Sequence, residues 1–379
     1  VIDYGLELIS NYTYALDQVH EDEMRQHDER KIIGGSMLYD ILPTSAGEWQ
    51  VGMDIRHDNI SDVGLSSSND GSIRERTIRH RVEETGVGVF VQNNHNWTDN
   101  LRTQMGMRID YLQADVENRL TGEASDASDV MATPKFSAIY TATASTHLFF
   151  NYGQGYHSND ARGFAEGNVD NNEKADVFAR SEGVDIGIQS QLTHTLQFAA
   201  SIWWLNLDSE LIFVGDDGTT EASDKSERKG LEGSLFWQPQ SWLIIDSDIA
   251  ISQARLKPQE GGEQYIPGAV EQVFSLGVAM HDFGRWQAGL RLRHFGQFAL
   301  NEDNSQSADA VTMLNAQLGY DFTSALTGSL EVINLTDVVG NDITYLYESQ
   351  LPSEVSPVED VHFHPIEPRM LRASIAYTF

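Results

Sequence analysis

The chain has no cysteine and no long apolar run. The absence of cysteine is compatible with a route through the oxidising periplasm and equally with many cytosolic proteins. Its longest apolar runs, such as residues 202–205 and 242–245, fall far below the ~18 residues that a membrane-spanning helix requires. The sequence therefore argues against spanning helices. A mean hydropathy of −0.36 is still compatible with a membrane protein that crosses on strands, because strands satisfy their backbone groups between themselves.

Positive charge is also scarce. The 379 residues include 25 Lys and Arg against 57 Asp and Glu, so the formal net charge is −32. A nucleic-acid partner is disfavoured, since phosphate binding requires a basic surface. Much of the acidic excess lies in polar segments such as residues 122–129 and 166–173. We interpret these segments as a solvated, mutually repulsive rim.

What the chain does have is strict alternation of apolar and polar residues. In residues 371–379, Leu371, Ile375 and Phe379 fall on one face, while Arg372 and Ser374 fall on the other. The same alternation occurs in residues 51–56, 101–111, 286–293 and 314–322. A period of two predicts strands with one apolar and one wet face. A soluble sandwich and a membrane barrel both fit this pattern, because the barrel only inverts which face is outside.

The spacing of the links favours the barrel. We count about sixteen candidate strands, and their links alternate between short and long. Short turns are predicted near residues 44–48, 97–100, 144–146, 193–195, 238–241, 282–285 and 323–325. Long polar links are predicted near residues 16–30, 59–85, 115–129, 156–177, 215–228, 257–269, 297–309 and 336–369. Tight turns at one rim and long loops at the other are typical of outer-membrane barrels, with a periplasmic and an extracellular side.

Several segments resemble the C-terminal barrel of proteobacterial TonB-dependent outer-membrane receptors. Leu330-Glu-Val-Ile-Asn-Leu-Thr-Asp337 is similar to the family's penultimate-strand motif, and a long link and a final strand ending in Phe379 follow it. Val361-His-Phe-His-Pro-Ile-Glu-Pro-Arg369 resembles a segment that recurs in one subgroup. Further similar segments are residues 133–136, with Thr133 in place of the usual serine, and residues 151–163, 181–183 and 229–232. Together these segments cover most of the chain from about Tyr4 onward.

The resemblance implies an all-β fold, an antiparallel transmembrane β-barrel of ~22 strands, of which about sixteen are present here. Family members also carry an N-terminal plug domain and a short coupling box that contacts TonB. We therefore expect residues 1–379 to be the C-terminal part of a receptor barrel, without the plug, the box and roughly the first six strands. Such a sheet would have two unpaired edges that must pair with other strands or close into a smaller barrel.

The resemblance also implies a function and a location. Receptors of this type lie in the outer membrane of Gram-negative bacteria, surrounded by lipid and lipopolysaccharide. They take up a scarce nutrient such as an iron–siderophore complex, cobalamin or a sugar. The TonB complex of the inner membrane energises uptake by pulling on the plug. The barrel itself performs no covalent chemistry and needs no cofactor, so we expect a transporter and not an enzyme.

Two other functions are weighed against this one. Sixteen antiparallel strands with short turns, long loops and a terminal Phe also describe a general diffusion porin. The motifs are those of receptors, which favours the receptor. An outer-membrane hydrolase would need a nucleophile and a base near one rim, and residues 157–160 offer only adjacent polar residues without such geometry.

Candidate ligand-binding residues fall at three places. If the phase set by the preceding apolar residues holds, Trp204 faces outward and Trp203 faces the lumen, where it could stack on a ligand. Arg162 is a second candidate, although it could instead anchor its own loop through Asp160.

The third place is the link before the last strand. His362 and His364 are two residues apart, so in an extended segment they share a face, with Glu367 nearby. This spacing suits a transition metal. The alternative, which we favour, is that the segment shapes the loop, with its prolines fixing the path.

Overall fold

The structure, a computed structural model, describes residues 1–11, 23–44, 47–69, 72–165, 176–209, 211–214, 219–222, 224–258, 262, 264–351 and 353–379. Nearly all of the regular structure is β. The strands are β1 Ile2–Asn11, β2 Glu23–Thr44, β3 Gly47–Asn69, β4 Ser72–Thr98, β5 Leu101–Asn118, β6 Ala124–Thr143, β7 Thr146–Ser158, β8 Phe178–Thr193, β9 Leu196–Leu207, β10 Leu211–Val214, β11 Thr219–Ala222, β12 Lys225–Gln240, β13 Leu243–Lys257, β14 Gln264–Tyr265, β15 Gln272–Phe283, β16 Trp286–Phe295, β17 Phe298–Ala299, β18 Ser307–Ala308, β19 Val311–Asp321, β20 Leu326–Ile333, β21 Asn341–Ser349, β22 Val358–Pro365 and β23 Met370–Tyr377.

One short helix, α1 (Ala161–Ala165), follows β7. No helix in the described part of the chain is both long enough and apolar enough to cross a membrane.

Among the described residues, seventeen strands form one antiparallel sheet. One of them, β14, has only two residues, so sixteen long strands make up the wall, in agreement with the count predicted from the sequence. Each long strand pairs with the next one along the chain, and three hairpins outside this sheet interrupt the order: β10–β11, β17–β18 and β21–β22. Within the described residues β1 pairs only with β2, and β23 only with β20, so these two strands are the edges of the sheet.

The predicted short turns are present at one rim. For example, β4 and β5 are joined by residues 99–100, and β8 and β9 by residues 194–195. Aromatic rings gather beside these turns: Trp286 and Tyr320 lie 4.6 Å apart between ring centres, and Trp242 and Phe283 lie 4.9 Å apart. Such a ring of aromatic side chains is typical of an interface between apolar and aqueous surroundings.

Three of the predicted long loops, over residues 16–30, 59–85 and 115–129, are wrong in their extent. In the first, β2 already begins at Glu23. In the second, β3 continues to Asn69 and β4 begins at Ser72. In the third, β5 and β6 occupy much of the link. The physical reason is that backbone groups of two neighbouring segments can pair with each other whatever the charge of their side chains. The result is long hairpins that extend beyond the apolar band.

The two faces of the wall differ as a barrel requires. On the outer face Leu290 is 48% exposed and Ile375 81% exposed, Met107 is likewise exposed and Leu101 half-buried. Apolar side chains so accessible are not packed against a second layer of protein. The opposite face carries the arginines and aspartates of the same strands. The arrangement is that of a wall with an apolar exterior and a polar lumen.

The largest buried apolar cluster lies on the lumen side of the long hairpins. It joins Phe164 and Ala165 of α1 to Leu112, Val116 and Met131 of β5 and β6. The segment 159–165, called the strap below, is therefore folded inward against the wall.

Candidate ligand-binding face of the lumen

Trp203 lies on the lumen face, where the sequence predicted it. In the ladder it is opposite Asp185 of β8 and Gly230 of β12. Its indole covers the glycine so closely that a Cβ there would come within 2.8 Å of the ring. Asp185 accepts a hydrogen bond from the side-chain amide of Asn151 at 3.2 Å. The ring is thus held flat against the wall beside polar groups.

Trp203, Asp185 and Asn151 line a concave recess of about 640 Å³. Its other lumen-facing contributors differ in chemistry and include Phe90, Gln92, Gln104, Arg108, Lys135 and Ser137. The recess therefore offers aromatic faces, amide groups and both signs of charge. Such a lining suits a ligand or a protein surface that has apolar rings and hydrogen-bonding groups close together.

Beside the recess an arginine bridges three strands. Gly88 of β4 lies between Asp54 of β3 and Asp110 of β5 in the ladder. Arg108 extends across the glycine and donates hydrogen bonds to Asp54 at 2.7 and 2.9 Å and to Asp110 at 2.8 Å. A Cβ at position 88 would overlap the guanidinium group. The glycine is thus required for the close approach of the arginine.

The same arrangement recurs on the lumen face farther along the sheet, across strands β13, β15 and β16. Arg291 of β16 extends across Gly277 of β15 to the carboxylate of Asp246 of β13, with one of its bonds at 3.1 Å. A Cβ at Gly277 would overlap both partners. Arg108 and Arg291 are therefore each paired with an acid two strands away.

Replacement of Gly88 with alanine should separate Arg108 from Asp54. Because the pair is partly exposed, we expect the free energy of unfolding to fall by only about 1–2 kcal/mol. Thermal unfolding followed by gel mobility of the barrel would measure the change. Gly86→Ala is the matched control, since a Cβ at Gly86 would meet Leu112 at an ordinary 3.5 Å. An equal loss in both variants would contradict the proposed role of Gly88.

Arg162 makes the contact with Asp160 that was suggested as an alternative to ligand binding. Its side chain donates to Asp160 at 2.9 Å, and its backbone N–H donates to the same carboxylate at 2.9 Å. Burial raises the pKa of Asp160, but the hydrogen bonds from Arg162 outweigh this effect and the pKa lies below its usual value. Asp160 also caps α1 in this way. The pair stabilises the strap.

His362 and His364 both lie on β22, in the hairpin of β21 and β22 that is called the outer hairpin below. Their side chains have different partners. The ring of His362 stacks on Tyr347 at 3.6 Å and its Nε2 is 2.9 Å from Ser349 Oγ. His364 Nδ1 is 2.7 Å from a carboxylate oxygen of Asp342. This hydrogen bond lowers the pKa of Asp342. Among the described residues no group of three or more His, Cys, Asp or Glu side chains is placed to hold a metal.

Glu367 contributes its backbone to a connection that the sequence analysis did not anticipate. Asn334, fully buried and with a φ of 51°, donates from Nδ2 to the carbonyl oxygens of Val338 at 2.8 Å and Glu367 at 3.1 Å. Its Oδ1 accepts from the Val338 N–H at 2.9 Å. Nearby, Arg369 pairs with Asp337 at 3.1 Å. The two motifs recognised in the sequence thus hold each other and fix the base of the hairpin.

Comparison with known proteins agrees with this architecture. The family described as "TonB dependent receptor-like, beta-barrel" matches residues 4–335. The match covers most of the chain, which therefore belongs to the family of TonB-dependent receptor β-barrels. Among curated proteins, no sequence matches the chain.

Solved structures with the same fold are import receptors and transporters by their titles. The ferric-catecholate import receptor Fiu from E. coli K12, in its closed form, is 16% identical with a TM-score of 0.65, and the match covers 99% of this chain and 60% of Fiu. For the copper transporter OprC the identity is 14% and the TM-score 0.71, and the match covers 94% of this chain and 57% of OprC. For the unliganded ferric citrate transporter FecA the identity is 16% and the TM-score 0.70, and the match covers 94% of this chain and 56% of FecA. This chain thus spans less than two thirds of the length of these structures.

Proposed function

We propose that this chain is part of the wall of a receptor in the outer membrane of a Gram-negative bacterium, which takes up a scarce nutrient with energy from the TonB complex. Family membership is the observation that supports this proposal most directly. The polar lumen and the inward-folded strap fit a route for a ligand. The apolar outer face fits contact with lipid.

The sheet edges bear on the architecture of the complete receptor. In the described residues β1 and β23 each have one partner, and an unpaired edge is costly in lipid. We infer that further strands of the receptor lie between them, and that a plug domain with its coupling box fills the lumen. The porin alternative is set aside, because the matching family is that of receptors.

The titles of the similar structures suggest the chemical class of the transported nutrient. Their titles name ferric catecholate, copper and ferric citrate. An uptake assay on cells that express the complete receptor would test the function, with ⁵⁵Fe–citrate, a ⁵⁵Fe–catecholate, copper and labelled cobalamin as probes. Uptake of one of them that stops when TonB is deleted is the expected result. Uptake of small sugars and salts that is indifferent to TonB would instead indicate a diffusion pore.

We expect replacement of Trp203 with alanine to reduce the uptake found in that assay. Loss of the ring removes an apolar face from the recess, so the affinity for the transported probe should fall about three- to tenfold. Trp204→Leu is the matched control, since Trp204 is the next residue of the same strand, its side chain lies on the opposite face, and leucine keeps that position apolar. Unchanged affinity in Trp203→Ala would exclude Trp203 from the binding site.

Ligand contact by Arg162, His362, His364 and Glu367 stays a prediction. The contacts described above give each of them a part in holding a loop in place, which supports the loop-shaping interpretation. Replacement of both histidines with alanine and titration of the complete receptor with zinc or copper would decide whether the hairpin also binds metal.

A further inference from the structure

Glu84 is a half-buried carboxyl group on the lumen face of β4. It lies directly opposite Asp58 of β3 in the ladder, and like charges in such positions repel each other. Asp58 is satisfied, because Arg56 donates to its two oxygens at 2.8 and 2.7 Å. Within the described part of the chain, no hydrogen bond or ion pair is made by the Glu84 carboxyl group. Glu84 is therefore the uncompensated member of the pair.

The strap covers this part of the lumen wall. Its helix α1 packs against β4, β5 and β6. Phe164 of the strap shares a buried apolar cluster with Val82, which is two residues from Glu84 on the same face of β4. Glu84, Tyr156 and Ser158 line one cavity of about 360 Å³. The docked strap and the end of β7 thus shield the carboxyl group from solvent.

Charged and titratable groups face Glu84 from the strap and from all neighbouring strands. They are Asp160 and Arg162 on the strap, and Arg30, Asp54, Arg56, Asp58, His80, Arg108, Asp110 and Tyr156 on the strands. Each of the four arginines is hydrogen-bonded to an acid other than Glu84: Arg30 to Asp28, Arg56 to Asp58, Arg108 to Asp54 and Asp110, and Arg162 to Asp160. Among these groups no arginine is left to pair with Glu84.

The surroundings of Glu84 favour its protonated form. Glu84 is fourteen residues from the end of β4 at Thr98, beyond the about 9–11 residues of a strand that cross a membrane. Burial raises the pKa of Glu84 most, and the charges of Asp58 and Asp160 raise it further, while nearby arginines oppose this only in part. The burial and the charge of Asp160 both depend on the docked strap. The pKa of Glu84 is therefore higher when the strap is docked than when it is released.

The sign of the pH dependence follows from this difference. A state in which a carboxyl group has the higher pKa binds the proton more tightly, so protonation stabilises that state. The docked strap therefore has its full stability below the ordinary glutamate pKa of about 4.3. This stability is lost as the pH rises through the raised pKa of Glu84. Acid should hold the strap on the wall, and a neutral or alkaline medium should weaken its contact.

We propose that Glu84 and the strap form a pH-dependent switch, in which the strap is held on the lumen wall while Glu84 is protonated and is loosened when Glu84 ionises. Arg108 lines both the cavity beside Glu84 and the recess beside Trp203. The switch therefore acts next to the candidate ligand-binding face. It depends on the fold of the strap and not on the identity of a nutrient.

The test measures how well the strap is protected at different pH values. The complete receptor in detergent carries Ala165→Cys, a position that is fully buried in the docked strap. Maleimide labelling is followed from pH 5 to pH 8, and a receptor without the introduced cysteine gives the background. Because a thiol reacts as its thiolate, each rate is divided by that of Leu120→Cys, an exposed position between β5 and β6. A pKa difference of one unit changes an equilibrium up to about tenfold, so we expect the normalised rate to rise at least about fivefold.

Two variants of β4 assign the titration to one residue. Glu84→Gln resembles the protonated carboxyl group, so its strap should stay protected at pH 8 and the pH dependence should disappear. Glu83→Gln is the matched control. Glu83 is the adjacent residue, its side chain lies on the opposite face, and it pairs with Arg81. This control should keep the pH dependence of the receptor with Ala165→Cys alone.

Two results would overturn the proposal. One is a normalised labelling rate that is the same at pH 5 and pH 8 in the receptor with Ala165→Cys alone. The other is an unchanged pH dependence in Glu84→Gln, which would assign the titration to another group such as His80, since histidine changes its charge in this range. Gel mobility before and after heating would show that each variant is folded at both pH values. Uptake that depends on TonB is a separate readout, so the switch and the proposed function can fail independently.

Discussion

Replacement of Asn334 with alanine is expected to lower the stability of the outer hairpin by about 3–5 kcal/mol. Three side-chain hydrogen bonds are lost, which the buried Asn334 makes with the backbone of Val338 and Glu367, at about 1 kcal/mol or somewhat more for each bond. Alanine must also adopt the left-handed backbone of this position, which costs about 1 kcal/mol more. The measurement is the rate at which a protease cuts within residues 338–369, together with the midpoint of thermal unfolding.

Asn334→Gly separates the two causes. Glycine tolerates the positive φ, so this variant should lose the hydrogen bonds alone and be about 1 kcal/mol more stable than the alanine variant. If the alanine variant resists the protease as well as the wild type does, the contact between the two motifs does not depend on Asn334. If the glycine and alanine variants are equally stable, the backbone conformation at position 334 contributes nothing to the loss of stability.

Replacement of Phe164 with alanine is expected to release the strap from the lumen wall. Phe164 is 2% exposed and packs in the cluster with Leu112 and Val116. Truncation of a buried phenylalanine costs about 3–5 kcal/mol. This is more than a segment of a few residues can lose and stay docked, so the strap should become accessible while the wall remains folded.

The absence of native cysteine gives this prediction a direct readout. Ala165 is fully buried, so a cysteine introduced there should react slowly with a maleimide in the wild-type background and at least about tenfold faster beside Phe164→Ala. Gly163→Ala is the control, since a Cβ at this position would meet nothing within 4 Å. Equal labelling rates in all three proteins would show that the ring does not hold the strap.

Some features of this protein were readable from local sequence, and the reason is geometric. Strands alternate their side chains with a period of two, so segments such as residues 101–111 disclosed both faces, including the lumen position of Arg108. Two-residue turns such as 194–195 were evident because they separate two alternating runs. The strap anchor between Asp160 and Arg162 was also foreseeable, since the two residues are close in sequence.

Other features depend on residues far apart in the chain. The extent of the hairpins was misjudged at residues 59–85 because polar composition does not report whether two backbones pair. Gly88 gave no signal of its own: its role exists only because Arg108 of β5 extends across it to Asp54 of β3.

The sequence alone determined the family, the all-β architecture, the number of long strands and the assignment of an apolar and a polar face. Those properties follow from periodicity and from short motifs, which are local. Only the tertiary structure decided that residues 334–337 and 367–369 hold each other, that the strap folds onto the lumen wall, and that Glu84 faces the folded strap. Each of these depends on the register between strands, and register is set by the whole sheet.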